Sequence, residues 1–146
     1  MEEMPEGPLL VTGAIIPQNG KILLDQRHSD SRFEPNKWEF PGGKVDFGEH
    51  PEEALKRELK EELGILIETG PLYEVLSHVY DNKGDIRHVV LLFYICKISQ
   101  GKPERIDCQD LVWADKDKMR SLTFVEGDIP IVEQLLSDSG IWEITS

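Results

Sequence analysis

The distribution of apolar residues predicts strands in the first part of the chain. Leu9 to Ile16 is an apolar run rich in β-branched residues that ends at Pro17, and a glycine-containing turn over residues 18–20 leads into a second run, Lys21 to Gln26. Short apolar runs bounded by turn residues are typical of β-strands. We therefore predict a β-hairpin here, followed by a polar loop over residues 27–37.

A second pair of strands is predicted in the middle of the chain, at residues 73–80 and 87–98, with a short strand at 110–113 to follow. The polar residues and the glycine of segment 81–84 suit a hairpin turn between the long pair. The run from Val89 to Cys96 is apolar throughout, which predicts a buried strand and is far too short to span a membrane.

Helices are predicted later, where apolar residues recur at intervals of three and four. The longest runs from Pro51 to Leu63, because proline suits the first turn of a helix and Gly64 suits the position just after its end. Two shorter helices are predicted at residues 116–122 and 129–136. The order of these elements alone does not specify a topology.

Composition and charge limit the classes of partner. The 146 residues fit one domain, 1–146, and the net charge of -12 repels the phosphate backbone of long nucleic acids, while a small anionic ligand bridged by cations remains compatible. Residues 1–7 contain no apolar segment typical of an export signal, and Cys96 and Cys108 lack the spacing of a zinc or disulfide motif. We therefore expect a reducing, cytoplasmic setting and no membrane partner.

One side of the predicted helix 51–63 is unusually acidic. On a helical wheel Leu55, Leu59 and Leu63 form the stripe that packs inward, and three glutamates share an arc beside that stripe. The arc contains no lysine, and the small Ala54 within it is predicted to leave room beside the carboxylates. The three glutamates are Glu58, Glu61 and Glu62.

Carboxylates three and four residues apart on a helix repel one another, and the repulsion grows when they are partly removed from water. A divalent cation with oxygen ligands relieves this repulsion, so the arc predicts a metal site. The alternative is an ordinary solvated face, such as the one formed by Glu53, Lys56 and Lys60. In that case Arg57 is only a salt-bridge partner, and Glu49 is an acid favoured near the start of a helix.

The acidic arc belongs to a longer pattern that begins at Gly43 and ends at Ile65. Five residues separate Gly43 from Glu49, seven more lead to Arg57-Glu58-Leu59, and Glu61-Glu62 and Gly64-Ile65 each follow after one further residue. This span resembles the signature of the Nudix hydrolases, and the stretch 36–44 resembles the MutT-like nucleoside triphosphate pyrophosphohydrolases. The resemblance implies an α/β fold, namely a Nudix-like α/β/α sandwich with a mixed β-sheet against which the helix lies.

The same resemblance implies roles for individual residues of the signature. It implies Mg²⁺ or Mn²⁺ as the cofactor, bound by Glu58, Glu61 and Glu62 together with the backbone at Gly43. Arg57 would orient a catalytic glutamate, and Glu58 is a candidate general base, although other Nudix enzymes take the base from a later loop. Glu61 is placed with these two in the catalytic group. The supporting positions are Glu49, Gly42 and Gly64.

Positions outside the signature also resemble the MutT-like branch. Asp107 lies where that branch has an additional loop acid, which makes it a candidate metal ligand, with an exposed turn acid as the alternative. Arg27 and Arg87 lie where arginines approach the nucleotide, and guanidinium groups suit that role because they bind phosphates and stack on bases. Each could equally be a surface arginine.

Phe40 and Asp128 complete the candidate substrate contacts. Phe40 would line a base pocket or else pack in the core beside a strand. Asp128 lies where the branch has an asparagine that reads the base edge, and an aspartate there accepts hydrogen bonds from amino or ring N–H groups of guanine-like or cytosine-like bases. Asp128 also suits the N-cap of the helix that begins at Ile129, and both roles can hold together.

The resemblance predicts a small-molecule nucleotide as the substrate, in the first place a nucleoside or deoxynucleoside triphosphate, ordinary or oxidised, cleaved to a monophosphate and pyrophosphate. One alternative is a linked nucleotide. The proline marker for ADP-ribose is absent, and Tyr80 lies slightly short of the tyrosine marker for dinucleoside polyphosphates. Another alternative is a module that binds a nucleotide without cleaving it, against which the intact signature counts.

Overall fold

A computed structural model describes residues 7–145, so the expectation about an export signal in residues 1–7 lies almost entirely outside the described part. The strands are β1 (Leu9–Ile15), β2 (Pro17–Gln18), β3 (Lys21–Gln26), β4 (Trp38–Glu39), β5 (Gly42–Lys44), β6 (Leu66–Asn82), β7 (Asp85–Gln100) and β8 (Asp110–Ala114). The α-helices are α1 (Pro51–Leu63), α2 (Lys116–Ser121) and α3 (Ile129–Leu136), and single turns of 3-10 helix lie at Glu126–Asp128 and Gly140–Glu143.

Two sheets form the centre of the molecule. The first has the strand order β5-β1-β7-β6, in which β1 and β7 are parallel and the other pairs are antiparallel. In the second sheet β3 pairs antiparallel with β2, β4 and β8. The first sheet therefore mixes parallel and antiparallel pairing, as predicted.

The hairpin predicted between the first two apolar runs is wrong in its pairing. β1 lies beside β7 in the first sheet, with Leu9 opposite Val89, whereas β3 belongs to the second sheet. Only a short hairpin remains, with Pro17 opposite Ile22 across a tight turn. Both apolar runs form buried strands, and a strand buried on both faces lacks the polar alternation that would indicate its partner.

The second predicted hairpin is confirmed and is longer than the apolar pattern indicated. β6 and β7 pair antiparallel around a turn at Lys83 and Gly84, whose φ angles of 55° and 91° are both left-handed. Shifts in the register between Thr69 and Glu74 interrupt the alternation of side chains along β6. That interruption explains why only the second half of β6 was recognisable from its pattern.

Helix α1 has the predicted bounds. The ring of His50 accepts a hydrogen bond from the N–H of Glu52 at its start, and Gly64 ends it with a φ of 69°. Leu55 and the rest of the predicted apolar stripe are buried. Ala54 is also fully buried, so the prediction that it leaves open space is wrong. Its small side chain instead suits the close packing of α1 on the first sheet.

The helices cover opposite sides of the sheets. The leucines of α1 pack with Ala14, Leu23 and Tyr94 in one apolar cluster, whereas Met119 of α2 and Ile131 of α3 join a second cluster. The predicted α/β/α sandwich is therefore confirmed. Within residues 7–145 no helix is long and apolar enough to cross a membrane.

Candidate functional site

A cavity of about 510 Å³ lies over β1 and β7, between helix α1, the loop 27–37 and the 3-10 turn Glu126–Asp128. Concave sites lined by a few convergent polar groups are where small ligands bind. Eight of the residues predicted from the sequence line this cavity. They are Arg27, Phe40, Gly42, Gly43, Glu58, Glu62, Arg87 and Asp128.

Arg57 is the centre of a hydrogen-bond network at the acidic end of the cavity. Its Nε and Nη2 atoms donate to the two carboxylate oxygens of Glu49 at 2.8 and 3.0 Å, and Nη1 donates to Glu58 Oε1 at 2.9 Å. Nη2 also donates to the carbonyl of Lys44 at 3.1 Å. The hydrogen bonds from Arg57 lower the pKa of Glu49 to about 2. The geometry is therefore that of an arginine that fixes the orientation of Glu58.

Gly43 packs directly against the Glu58 carboxylate. A Cβ atom added at Gly43 would overlap the carboxylate carbon and lie 2.6 Å from Oε2, so a side chain at this position would displace Glu58. The carbonyl of Gly43 accepts a hydrogen bond from Thr12 Oγ1 at 3.2 Å. Gly42 is similarly constrained, because a Cβ there would overlap the carbonyl of Thr12. The two glycines allow β5 to lie between β1 and the carboxylate.

Glu62 lies beside Glu58 on the cavity wall. Burial, and then the neighbouring Glu58 charge, raise the pKa of Glu62 to about 9. The side chain of Glu58 is only 15% exposed. Two adjacent carboxylates with little access to water fit a divalent cation, because hard cations prefer oxygen ligands and supply the missing positive charge. Glu58, Glu62 and the backbone at Gly43 are therefore the groups that could hold one.

The other two predicted acids lie away from this wall. Glu61 is 61% exposed and accepts a hydrogen bond from Arg57 at 3.4 Å. Asp107 is 72% exposed and pairs with His28 Nε2 at 3.1 Å. Accordingly, no group of three or more His, Cys, Asp or Glu side chains in the described part of the chain is arranged to hold a metal ion. The metal-ligand roles of Glu61 and Asp107 stay predictions.

Asp128 lines the same cavity as the glutamates, and its side chain does not cap helix α3. Its Oδ2 atom accepts a hydrogen bond from the backbone N–H of Phe40 at 3.1 Å. Asp128 ends a 3-10 turn and has helical backbone angles, φ -92° and ψ -14°, rather than the extended angles of a capping residue. The N-cap prediction is therefore wrong for the side chain. Burial, and then the charge of Glu39, raise its pKa well above the ordinary value.

Phe40 combines the two roles that the sequence left open. Its ring packs against Phe93 in an edge-on contact with centroids 5.7 Å apart, and stacks with Phe124 at 6.1 Å. The residue also lines the cavity. It is a core residue that forms part of the cavity wall.

The two candidate arginines are held by neighbouring groups rather than extended into solvent. Arg27 donates from Nε to the carbonyl of Phe33 at 3.0 Å and from Nη2 to Ser31 Oγ at 2.8 Å, and it forms an ion pair with Glu39 at 3.4 Å. The Arg87 guanidinium lies 4.9 Å from the centroid of the Phe33 ring. Both arginines line the cavity, which is inconsistent with a purely external position.

Two acids near the site were missed from the sequence, of which Asp25 is buried and Glu39 is half-buried. Asp25 of β3 pairs with Glu39 of β4, and Glu39 lines the cavity. Burial is the main reason why the pKa of each carboxyl group is raised. The available signal was Asp25 itself, a charged residue directly after the apolar residues 22–24, because a charge beside a buried run is uncommon unless it is paired or used.

Comparison with known proteins agrees with this architecture. The family model of the NUDIX domain matches residues 8–135 of this chain. The chain is 32% identical over 126 residues to the 8-oxo-dGTP diphosphatase of Escherichia coli K12, covering 86% of this chain and 94% of that protein. It is 37% identical over 127 residues to the CTP pyrophosphohydrolase of the same organism, covering 87% and 90%.

A solved structure gives the same result for the fold. The MutT NUDIX hydrolase from Burkholderia pseudomallei superposes with a TM-score of 0.78 at 32% identity, over 89% of this chain and 99% of that one. The residues that match the family include the whole signature. Its Gly43, Glu58 and Glu62 line the acidic wall described above, and Arg57 donates a hydrogen bond to Glu58. The chain therefore belongs to the Nudix hydrolase family, in its MutT-like branch, and is a Nudix pyrophosphohydrolase.

Proposed function

We propose that this enzyme hydrolyses a nucleoside or deoxynucleoside triphosphate, ordinary or oxidised, to the monophosphate and pyrophosphate. The observation that carries the proposal is that one cavity is lined both by the Glu58 and Glu62 carboxylates and by Phe40 and Asp128. The two glutamates suit a cation with its phosphates, and Phe40 and Asp128 suit a base. The two relatives named above are triphosphate hydrolases by name, which supports the same substrate class.

The proposed cofactor is Mg²⁺ or Mn²⁺, since Nudix enzymes generally use divalent metals. Bound at Glu58, Glu62 and Gly43, the ion would neutralise phosphate charge and lower the pKa of water. Arg57 holds Glu58 through Oε1, while Oε2 faces Gly43. In the proposed reaction water attacks the α- or the β-phosphorus of the triphosphate and a carboxylate accepts the proton of that water. The bridge between these two phosphorus atoms breaks, which gives the monophosphate and pyrophosphate. Glu58 is our candidate for the carboxylate.

The phosphates would extend from the acidic wall towards the candidate arginines. Arg27 and Arg87 line the same cavity and carry the positive charge that a triphosphate needs. Asp128 Oδ2 is occupied by the N–H of Phe40, which leaves Oδ1 as an acceptor for a base. Amino and ring N–H groups of guanine-like or cytosine-like bases match that acceptor.

The linked nucleotides remain the alternative substrates. Tyr80, near the marker position for dinucleoside polyphosphates, lines the cavity, but its hydroxyl group accepts a hydrogen bond from the N–H of Gly127 at 3.1 Å. This hydrogen bond supports the turn that carries Asp128, and that role explains the position of Tyr80. Within residues 7–145 we find no group that favours a linked nucleotide over a triphosphate.

A substrate panel tests the proposal. Purified protein with Mg²⁺ is incubated with dGTP, 8-oxo-dGTP, CTP, dCTP, ADP-ribose and diadenosine tetraphosphate, and the products are separated by chromatography. We expect a monophosphate and pyrophosphate from at least one triphosphate. Reaction in ¹⁸O-labelled water identifies the phosphorus atom that is attacked. Cleavage of linked nucleotides alone would contradict the substrate class.

A pair of variants connects the activity to the acidic wall. Glu62→Gln should remove most of the metal-dependent turnover, because it removes one of the two carboxylates at the proposed ion site. Glu53→Gln is the matched control, since it removes the same charge from the same helix at an exposed residue whose ion pair is with Lys56. Full activity of Glu62→Gln would overturn the assignment. Thermal stabilisation by nucleotides without any hydrolysis would favour a binding module.

A further inference from the structure

An ion cluster joins the loop 27–37 to the tip of the β6–β7 hairpin. Asp85 Oδ2 accepts a hydrogen bond from Arg32 Nη2 at 2.9 Å, and Asp85 Oδ1 lies 3.6 Å from Arg87 Nε. One carboxylate on the hairpin therefore contacts an arginine from each of the two segments. We call the group of Arg32, Phe33, Asp85 and Arg87 the Asp85 bridge.

Phe33 connects the ionic part of the bridge to the cavity. Its ring centroid lies 5.4 Å from the Arg32 guanidinium carbon and 4.9 Å from that of Arg87, distances at which cations are attracted to an aromatic ring. Phe33 and Arg87 line the cavity, whereas Arg32 and Asp85 lie outside the lining. The bridge thus has an outer half, which holds the two segments together, and an inner half, which faces the ligand space.

The base of the same loop is fixed by the other candidate arginine. Arg27 Nε donates to the carbonyl of Phe33 at 3.0 Å, and Ser31 Oγ donates to the same carbonyl at 2.9 Å. The position of the loop is therefore coupled to both arginines that line the cavity. Ordering long arginine side chains before a ligand arrives lowers the entropic cost of binding that ligand.

We propose that Asp85 is a positioning residue for nucleotide binding, acting through Arg32 and Phe33 to hold the Arg87 guanidinium at the cavity wall. The inference rests on the proposed function, because it assigns a phosphate-bearing ligand to this cavity. The charge of Asp85 itself repels phosphates. Removing that charge should strengthen binding if only long-range electrostatics matter, and should weaken binding if Asp85 positions Arg87. The direction of the effect therefore distinguishes the two accounts.

The kinetic test compares Asp85→Asn with Asp81→Asn. Both remove one negative charge from the hairpin tip. Asparagine at position 81 retains the single oxygen that contacts the N–H of Gly84, whereas asparagine at position 85 has only one oxygen in place of the two that contact Arg32 and Arg87. With CTP and 8-oxo-dGTP as probes in Mg²⁺, we expect Asp85→Asn to raise KM by roughly three- to tenfold, the range for a few weak ionic and cation–π contacts, with kcat nearly unchanged. Asp81→Asn should leave KM unchanged or lower it. An unchanged or lowered KM in Asp85→Asn overturns the proposal.

A second readout requires no activity. Trypsin cleaves after arginine, and Arg32 lies at the exposed side of the bridge. In nucleotide-free protein, cleavage after Arg32 should be faster in Asp85→Asn than in wild type and Asp81→Asn, because the loop is released from the hairpin. Equal rates of cleavage after Arg32 in the three proteins would contradict the role of the Asp85 bridge in holding the loop.

The outcomes for the two proposals are separable. If the wild type hydrolyses neither nucleotide, the proposed function is wrong for these probes, and titration calorimetry with the same nucleotides and Mg²⁺ replaces KM as the measure of binding. A weaker affinity of Asp85→Asn then supports the role of Asp85. Equal affinity, or no binding by any of the proteins, overturns it.

Discussion

Replacing Glu62 by glutamine should make the metal-free protein more stable while removing its activity. The cause lies in the contacts of Glu62 on the cavity wall, where burial and the Glu58 charge raise its pKa from 4.5 to about 9. The folded state consequently binds the Glu62 proton more tightly than the unfolded chain does. The free energy of unfolding of the wild type should fall as the pH rises from about 4.5 to about 9, because the unfolded chain gives up this proton first.

The size of the effect follows from the pKa. Each pH unit above the pKa of Glu62 in the unfolded chain lowers the free energy of unfolding by about 1.4 kcal/mol. At pH 7.5 the upper bound of this loss is about 4 kcal/mol. Glutamine has no charge to bury, but its amide group still loses water, which offsets part of the gain. We expect a net stabilisation of about 1 to 2 kcal/mol, or roughly 3 to 6 °C in Tm for a domain of this size.

Thermal denaturation in EDTA between pH 5 and pH 8.5 measures this difference. The Tm of Glu62→Gln should exceed that of the wild type by an amount that grows with pH. The exposed control Glu53→Gln should follow the wild type at every pH. Adding Mg²⁺ should then raise the Tm of the wild type more than that of Glu62→Gln, because a bound ion stabilises only the folded state that holds it. A less stable Glu62→Gln, or a difference independent of pH, would refute the reasoning.

Three further predictions concern the rest of the cavity. Gly43→Ala should lower kcat at least tenfold, since its Cβ displaces the Glu58 carboxylate, and circular dichroism should show an unchanged fold. Arg57→Lys should lower kcat, because a lysine cannot bind Glu49 and Glu58 simultaneously with the same geometry; an unchanged kcat would contradict the orienting role. Because burial raises the pKa of Asp128, KM for the preferred nucleotide should rise as the pH falls through that pKa and the carboxylate is protonated. Asp128→Asn should remove this pH dependence, and a persistent dependence would assign it to another group.

The part of the site that lies on one helix was predictable from the sequence. Helix α1 begins at a proline and ends at a glycine with left-handed angles, and its leucine stripe is buried. The wheel also placed Glu58 and Glu62 beside that stripe. It could not tell which acids face the cavity, because Glu61 turns towards Arg57 and solvent while Glu62 is enclosed. That difference depends on what packs beside the helix.

Contacts between residues that are far apart in the chain were harder to predict from the sequence. The separation of β1 and β3 into two sheets depends on β7, which lies far along the chain and pairs with β1 in parallel. The hydrogen bond from the N–H of Phe40 to Asp128 likewise joins residues that the sequence does not connect. The local pattern at Asp128 favoured a helix cap, and the preceding 3-10 turn changed the backbone angles on which a cap depends.

The carboxylates of the acidic wall and Asp128 are carried by different parts of the chain, so these parts can be altered separately. The acidic wall is carried by α1 and β5, whereas Asp128 sits on a separate turn that is held by the hydroxyl group of Tyr80 through Gly127. Mutations in that turn can therefore be screened for altered base preference without touching the residues that would bind the metal. A designer could vary this turn while leaving α1 and β5 unchanged, within the narrow space around Gly127, where a Cβ would lie 2.6 Å from the Tyr80 oxygen.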